Sequence, residues 1–188
     1  IGIEDVEYTG EEVAPVITVM INDEIVEDGT TDVKYYAYDV DSESYCEEPM
    51  SSAPINVGKY KIVVTYTRLA AEGVYAAEGE ADKEFEITKA GNDFTTPLSC
   101  ASVTRPTLPE PNAEAKYGAV TYKYSYEENG TYIAVKPSTE GTYYVKAYVE
   151  ETDNYGGITS EPKSFTISYP DVDAPTITKS VSSLKKGK

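Results

Sequence analysis

The 188-residue chain has no histidine and no tryptophan, only 2 cysteines and 3 phenylalanines, and 16 Lys+Arg against 33 Asp+Glu. Without histidine, neither a Ser-His-Asp nor a Cys-His nucleophile system can be assembled, and no His-ligated metal site either. A net charge of −17 opposes nucleic acid and anionic membrane as partners, because phosphate recognition needs clustered Lys and Arg. No apolar run approaches the ~18 residues of a membrane-spanning helix, so no membrane insertion is expected. The opening Ile1-Gly2-Ile3-Glu4-Asp5 shows no basic stretch leading into an apolar one, the mark of a signal peptide. With Lys185-Lys186-Gly187-Lys188 at the other end, the expectation is a piece of something longer. Cys46 and Cys100 are too few for a disulfide framework, and no C-x-x-C occurs. Two readings stand for them: free thiols, or one bridge between the two halves of the chain.

What the chain does have is tyrosine, 18 of them, in short alternating runs. Tyr60, Ile62, Val64 and Tyr66 share one face of a strand, and Tyr143, Val145, Ala147 and Val149 share one face of another. Tyr122, Tyr124 and Tyr126 line one face of an earlier strand. Turn residues separate these runs, as at Asp28-Gly29, Gly58, Gly141 and Asn129-Gly130, the last a two-residue hairpin signal. Helical periodicity is nearly absent; Arg68 to Ala77 is the best place for a single helical turn. The pattern predicts an all-β protein.

Self-similarity at long range predicts two tandem units. Gly58-Lys59-Tyr60 lines up with Gly141-Thr142-Tyr143, and Phe85-Glu86-Ile87 with Phe165-Thr166-Ile167. Lys89-Ala90-Gly91-Asn92 marks the first boundary and Tyr169-Pro170 to Pro175 the second. The expected organisation is 1–89, 90–169, and 170–188 as a linker with the start of a further module. Each of the first two is expected to be a small antiparallel β-sandwich, with a β-grasp-like sheet as the alternative for the first. Residues 1–89 carry 21 acids and 6 bases, net −15, and residues 90–188 carry 12 and 10, net −2. The expected cores are Tyr60, Ile62, Val64, Phe85 and Ile87, then Tyr143, Val145, Ala147, Phe165 and Ile167.

Residues 8–90 resemble the MBG-type repeats of large bacterial surface proteins, through Tyr8-Thr9-Gly10, Gly58-Lys59-Tyr60 and the closing Phe85-Glu86-Ile87-Thr88-Lys89-Ala90. Residues 117–168 resemble a related immunoglobulin-like surface repeat, through Tyr117-Gly118, Asn129-Gly130-Thr131-Tyr132, Gly141 to Ala147, Asn154-Tyr155-Gly156 and Phe165-Thr166-Ile167. The tail from Pro175 to Lys188 is similar to the opening of a fibronectin type III-like module. In the first copy Gly73-Val74-Tyr75-Ala76 stands where the family has an Asn-Tyr-x-Gly stretch. The resemblance implies tandem modules on a cell surface or cell wall, extracellular, with no catalytic residues and no cofactor to carry over. The partners it implies are neighbouring modules of the same chain, and a glycan or a host or cell-surface protein if the module binds.

Site candidates are few. Asp39, Asp41 and Glu43 alternate as oxygen donors suited to Ca²⁺, but an EF-hand would need Gly at Ser44 and Glu at Met50. Asp171 and Asp173 could bridge a module junction through a cation. Glu127-Glu128 and Glu150-Glu151 are adjacent acids, which on a strand face opposite sides and cannot flank one glycosidic bond. Tyrosine combines apolar area with a polar tip, and Tyr144 and Tyr148, outward in the alternation, are the candidate ligand contacts. No residue is assigned to catalysis, to a cofactor or to a metal. The expected function is a non-catalytic stalk, with adhesin-type binding as the alternative.

Overall fold

The computed structural model describes residues 1–172 and Thr176. The expected further module (Thr176-Ile177-Thr178 and Val181), the fibronectin-like tail and the Asp173 half of the acidic junction lie outside these residues, Thr176 apart. Among the described residues the chain is all-β, with no helix. None is therefore long and apolar enough to cross a membrane.

The chain forms two compact units. The first comprises Ile1–Pro97, Ala113–Thr121 and Ala147–Ser160; the second comprises Leu98–Asn112, Tyr122–Lys146 and Glu161–Lys188. By sequence the first unit carries 26 acids against 7 bases, net −19, and the second 7 against 9, net +2.

The strands in chain order are β1 (Val6–Glu7), β2 (Met20–Ile21), β3 (Glu24–Ile25), β4 (Thr30–Asp39), β5 (Ser44–Tyr45), β6 (Gly58–Arg68) and β7 (Ala77–Thr88). There follow β8 (Phe94–Ser99), β9 (Val103–Thr104), β10 (Asn112–Ala115), β11 (Val120–Ser125), β12 (Gly141–Val149), β13 (Ile158–Thr159) and β14 (Lys163–Ser168). The main sheet of the first unit runs β1-β7-β6-β4-β5, antiparallel except for β1, which lies parallel to the end of β7. A second sheet runs β11-β12-β14-β9, with β13 beside β12 and β9 parallel to β14.

The period-two reading of the central strands holds. Tyr60, Ile62, Val64, Tyr66, Phe85 and Ile87 are buried, as are Tyr143, Val145, Ala147, Val149, Phe165 and Ile167. In the first unit this apolar face is covered by Ile1, Ile3, Val13 and Ile17 from the N-terminal segment and by Met50 and Val57 ahead of β6. That covering layer is mostly irregular backbone, so its apolar residues show no strand period. In the second unit Cys100 and Tyr124 complete the core around Tyr143, Val145, Phe165 and Ile167.

Both sheets contain the same local device. Gly58 pairs with Ile87 and Tyr60 with Phe85; Gly141 pairs with Ile167 and Tyr143 with Phe165. Each tyrosine hydroxyl donates to the carbonyl four residues upstream, Tyr60 to Asn56 at 2.8 Å and Tyr143 to Thr139 at 3.0 Å. The ring thereby folds back over its glycine: a Cβ on Gly58 would sit 3.1 Å from the Tyr60 hydroxyl. Glycine two residues before the tyrosine is what leaves room for that fold-back.

Two turns differ from the sequence expectation, and a third carries no expectation. The expected helical turn in 68–77 is instead the tip of the β6–β7 hairpin. Ala71 and Val74 exchange two backbone hydrogen bonds of 3.0 Å, and Gly73 supplies a φ of +76°. Four residues closed by two such bonds leave no room for an i→i+4 turn. Asn129-Gly130 is not a two-residue hairpin loop. Gly130 N–H donates to Glu127 C=O at 3.1 Å, so the turn is centred on Glu128 and Asn129, neither of them at positive φ. The two-residue turn with both φ positive is Asn22-Asp23, at 54° and 67°, between β2 and β3.

Asn154 joins three segments of the first unit. Its Oδ1 accepts from Val57 N–H at 3.1 Å, its Nδ2 donates to Asn56 Oδ1 at 3.1 Å, and its carbonyl accepts from Ala90 N–H at 2.9 Å. Next to it Tyr155 stacks on Tyr117 at 3.5 Å and meets Tyr8 edge-on at 5.4 Å. Asn154→Ala deletes both side-chain bonds, each worth about 0.5–1.5 kcal/mol. We expect a loss of about 1–3 kcal/mol and faster hydrogen exchange at the Val57 amide. An unchanged Val57 exchange rate would show that the Asn154 clasp does not form in solution.

Candidate functional site: an aromatic cleft in the second unit

β11 ends at Ser125, and this ending makes the site. The expectation that Tyr126 shares a face with Tyr122 and Tyr124 fails here, because the strand period stops one residue earlier. Tyr124 is buried, whereas Tyr126 is 73% exposed. The chain turns at Glu127–Gly130 and returns so that Ile133 and Tyr124 exchange backbone hydrogen bonds of 2.7 and 2.9 Å. Gly130 is required at this turn: a Cβ there would lie 2.7 Å from Ser125 Oγ. Two further bonds fix the loop. Glu127 N–H donates to Ser125 Oγ at 3.2 Å, and the Tyr132 hydroxyl donates to Glu128 C=O at 2.7 Å.

The loop and the sheet enclose a cleft of about 350 Å³, walled by Tyr124, Tyr126, Tyr143, Ile133, Val135 and Pro137. The Tyr126 and Tyr143 rings lie 4.9 Å apart at 45°. Ile133 at 53% and Val135 at 69% exposure extend the apolar wall to the surface. Glu127 supplies the carboxylate of the lining and Thr131 a hydroxyl.

Two of the hydroxyls at the cleft, those of Ser125 and Tyr143, are bonded within the fold. The Tyr143 hydroxyl lies 2.8 Å from Thr139 Oγ1 as well as bonding its carbonyl. Burial pushes the Tyr124 hydroxyl up to about 12, helped by the neighbouring Cys100 thiol and Tyr122. Burial also raises the Cys100 thiol, against a smaller opposing pull from Lys136. Both cysteines are free thiols, Cys46 exposed and Cys100 buried, so the bridged reading gives way to the other. The cleft offers aromatic and aliphatic surface with a polar rim.

The other residues singled out in the sequence fall elsewhere. Tyr144 and Tyr148 do alternate away from the core, and both are half-buried. Tyr144 stands opposite Ser164 and Tyr148 opposite Thr159. Neither lines the cleft. Between them Lys146 reaches over the Tyr132 ring at 4.8 Å. Asp39 turns its carboxylate inward on its own loop, accepting from Asp41 N–H at 2.9 Å and Ser42 Oγ at 3.0 Å. These bonds hold its pKa below the usual carboxylate value. Among the described residues no three Cys, Asp or Glu side chains are grouped to hold a metal ion.

The outer face of the first unit's main sheet carries a second aromatic group. Lys61 lies over Tyr45 at 5.1 Å and Tyr36 at 5.7 Å, and Tyr38 meets Tyr45 edge-on at 5.3 Å. Burial, then the nearby Glu84 carboxylate, pushes the Tyr45 hydroxyl up to about 12. Here the aromatic faces are already occupied by the chain's own lysine.

No family model, no curated protein and no solved structure matches this chain.

Proposed function

We propose that this chain is a non-catalytic structural module of a bacterial extracellular surface protein, a stalk segment built of tandem immunoglobulin-like repeats of the MBG type. The observation that carries this reading is the hairpin built twice, with glycine, tyrosine and their Phe and Ile partners in the same register. Building one hairpin twice is how modular rods are extended. The net charge of −17 discourages self-association of densely displayed copies. The lack of histidine also favours a non-catalytic role.

A second reading, adhesin-type binding of a glycan or a cell-surface protein, is favoured by the cleft at Tyr126. Exposed aromatic and aliphatic side chains around a concavity are the usual ingredients of a recognition site.

Two measurements test these readings. Cys46 is exposed and Cys100 buried, so a membrane-impermeant maleimide applied to intact producing cells should label Cys46 alone. Labelling seen only after lysis would overturn the extracellular reading. On a glycan and glycoprotein array the stalk reading expects no saturable retention. Saturable binding that Tyr126→Ala abolishes would transfer the function to the adhesin reading.

A further inference from the structure

The free edge of β7 is the feature of the first unit that its own packing leaves unused. β1 pairs with β7 only at Ile87 and Thr88, so among the described residues no strand lies beside Glu78 to Glu84 on that side. Glu86 N–H points to this side, where it donates to Asp5 Oδ1 at 2.8 Å. Backbone groups alternate along an antiparallel strand. The N–H and C=O groups of Glu84, Asp82, Glu80 and Glu78 therefore face the same open edge.

The two faces of this edge differ. On the outer face stand Glu78, Glu80, Asp82, Glu84 and Glu86, one carboxylate about every 6.8 Å along the strand. Lys61 and Lys59 oppose Glu84 and Glu86 across β6, but Glu78, Glu80 and Asp82 stand opposite Thr67, Thr65 and Val63. On the inner face the strand carries only Ala77, Gly79 and Ala81 at this end, and a groove of about 240 Å³ opens beside them, lined by Ile17, Val19, Met20 and Val64. Met20 is 56% exposed. Lys83, also on the inner side, reaches Glu4 at 3.4 Å.

We propose that the edge of β7 from Glu78 to Glu84 docks an extended segment of another protein in which basic and apolar side chains alternate. Strand addition satisfies the open backbone groups, while alternate side chains read the two faces. Basic residues would meet the outer carboxylates, and apolar ones would enter the groove that Gly79 and Ala81 leave open. A second copy of the chain does not fit. Pairing β7 with itself sets carboxylates against carboxylates, which destabilises a strand pair. The same row thus guards the edge against self-pairing and selects a basic partner.

The test uses the whole chain and a short end-blocked peptide of alternating lysine and valine. Bound peptide should slow hydrogen exchange at the Glu80, Asp82 and Glu84 amides, leaving Gly79 and Ala81, already bonded to β6, unchanged. A peptide of the same composition with its lysines in one block should bind at least about tenfold more weakly, a difference of about 1.4 kcal/mol. Glu80→Pro removes an edge-facing N–H without touching the β6 ladder and should abolish the protection. Glu80→Gln, which removes only one charge, should keep it. Equal binding of the two peptides, or saturation without protection at Glu80 and Asp82, would overturn strand docking in favour of diffuse charge attraction.

Discussion

Replacing Phe165 with alanine should cost about 3–5 kcal/mol, the usual range for deleting a buried phenyl ring. Phe165 is 2% exposed and stands opposite Tyr143 in the β12–β14 ladder. Its ring lies 5.8 Å from that of Tyr143 and 6.3 Å, edge-on, from that of Tyr124. Truncation leaves a hole between the two tyrosine rings. The Tyr143 hydroxyl is tied to Thr139, and the Tyr124 backbone is held by its paired bonds to Ile133. A loss of this size is a large part of the ~5–15 kcal/mol typical of a whole domain. Urea denaturation should show a markedly lower midpoint for the Phe165→Ala chain. Tyr143→Phe is the companion variant. It keeps the ring and loses only the hydroxyl bond, so it should cost about 1 kcal/mol. A Phe165→Ala midpoint equal to wild type would mean that the β12–β14 register is wrong.

The contrast between this core and the cleft shows which parts of the molecule were legible in the sequence. A strand packed on one face must alternate, so Tyr60-x-Ile62-x-Val64 and Tyr143-x-Val145-x-Ala147 announced both their strands and their buried sides. The Gly-x-Tyr turns were visible for the same reason: a ring folding back onto the backbone demands glycine at a fixed spacing. The covering layer was not legible. Ile3, Val13 and Ile17 bury apolar surface from irregular backbone, which imposes no period. The cleft was missed because it depends on β11 ending at Ser125 rather than Tyr126, a one-residue matter. Its walls then come from an irregular loop, where Ile133, Val135 and Pro137 carry no helical signal and belong to no named strand. The outward direction of Tyr144 and Tyr148 followed from alternation, but their half-burial depends on what lies across the sheet, which alternation does not report. The acidic row of β7 was present as plain alternation from Glu78 to Glu86. Its meaning needed the pairing, because only the short reach of β1 leaves that edge open.

The second large effect is expected at Gly29, where backbone conformation and side-chain packing meet. Gly29 has φ +93°, and a Cβ built there would lie 2.6 Å from Cε2 of Tyr66 and 2.8 Å from its hydroxyl. Tyr66 cannot retreat without loss. It is 8% exposed, and its hydroxyl donates to Asp28 C=O at 2.9 Å. Asp28 is in turn held by Arg68 Nη1 at 3.3 Å. Gly29→Ala therefore carries a conformational cost of about 1–2 kcal/mol for left-handed backbone. Displacing the packed ring adds about 1–3 kcal/mol. Gly73→Ala separates the two contributions, since Gly73 has φ +76° with nothing within 4 Å of its Cβ position. Alanine at Gly73 should cost only the conformational part. Chemical denaturation of the two variants side by side should show Gly29→Ala as the less stable by about the ring-displacement cost, ~1–3 kcal/mol. It should also show faster exchange along the start of β4, which Tyr66 helps to hold against β6. Equal losses in the two variants would mean that the Tyr66 ring does not rest on Gly29 in solution.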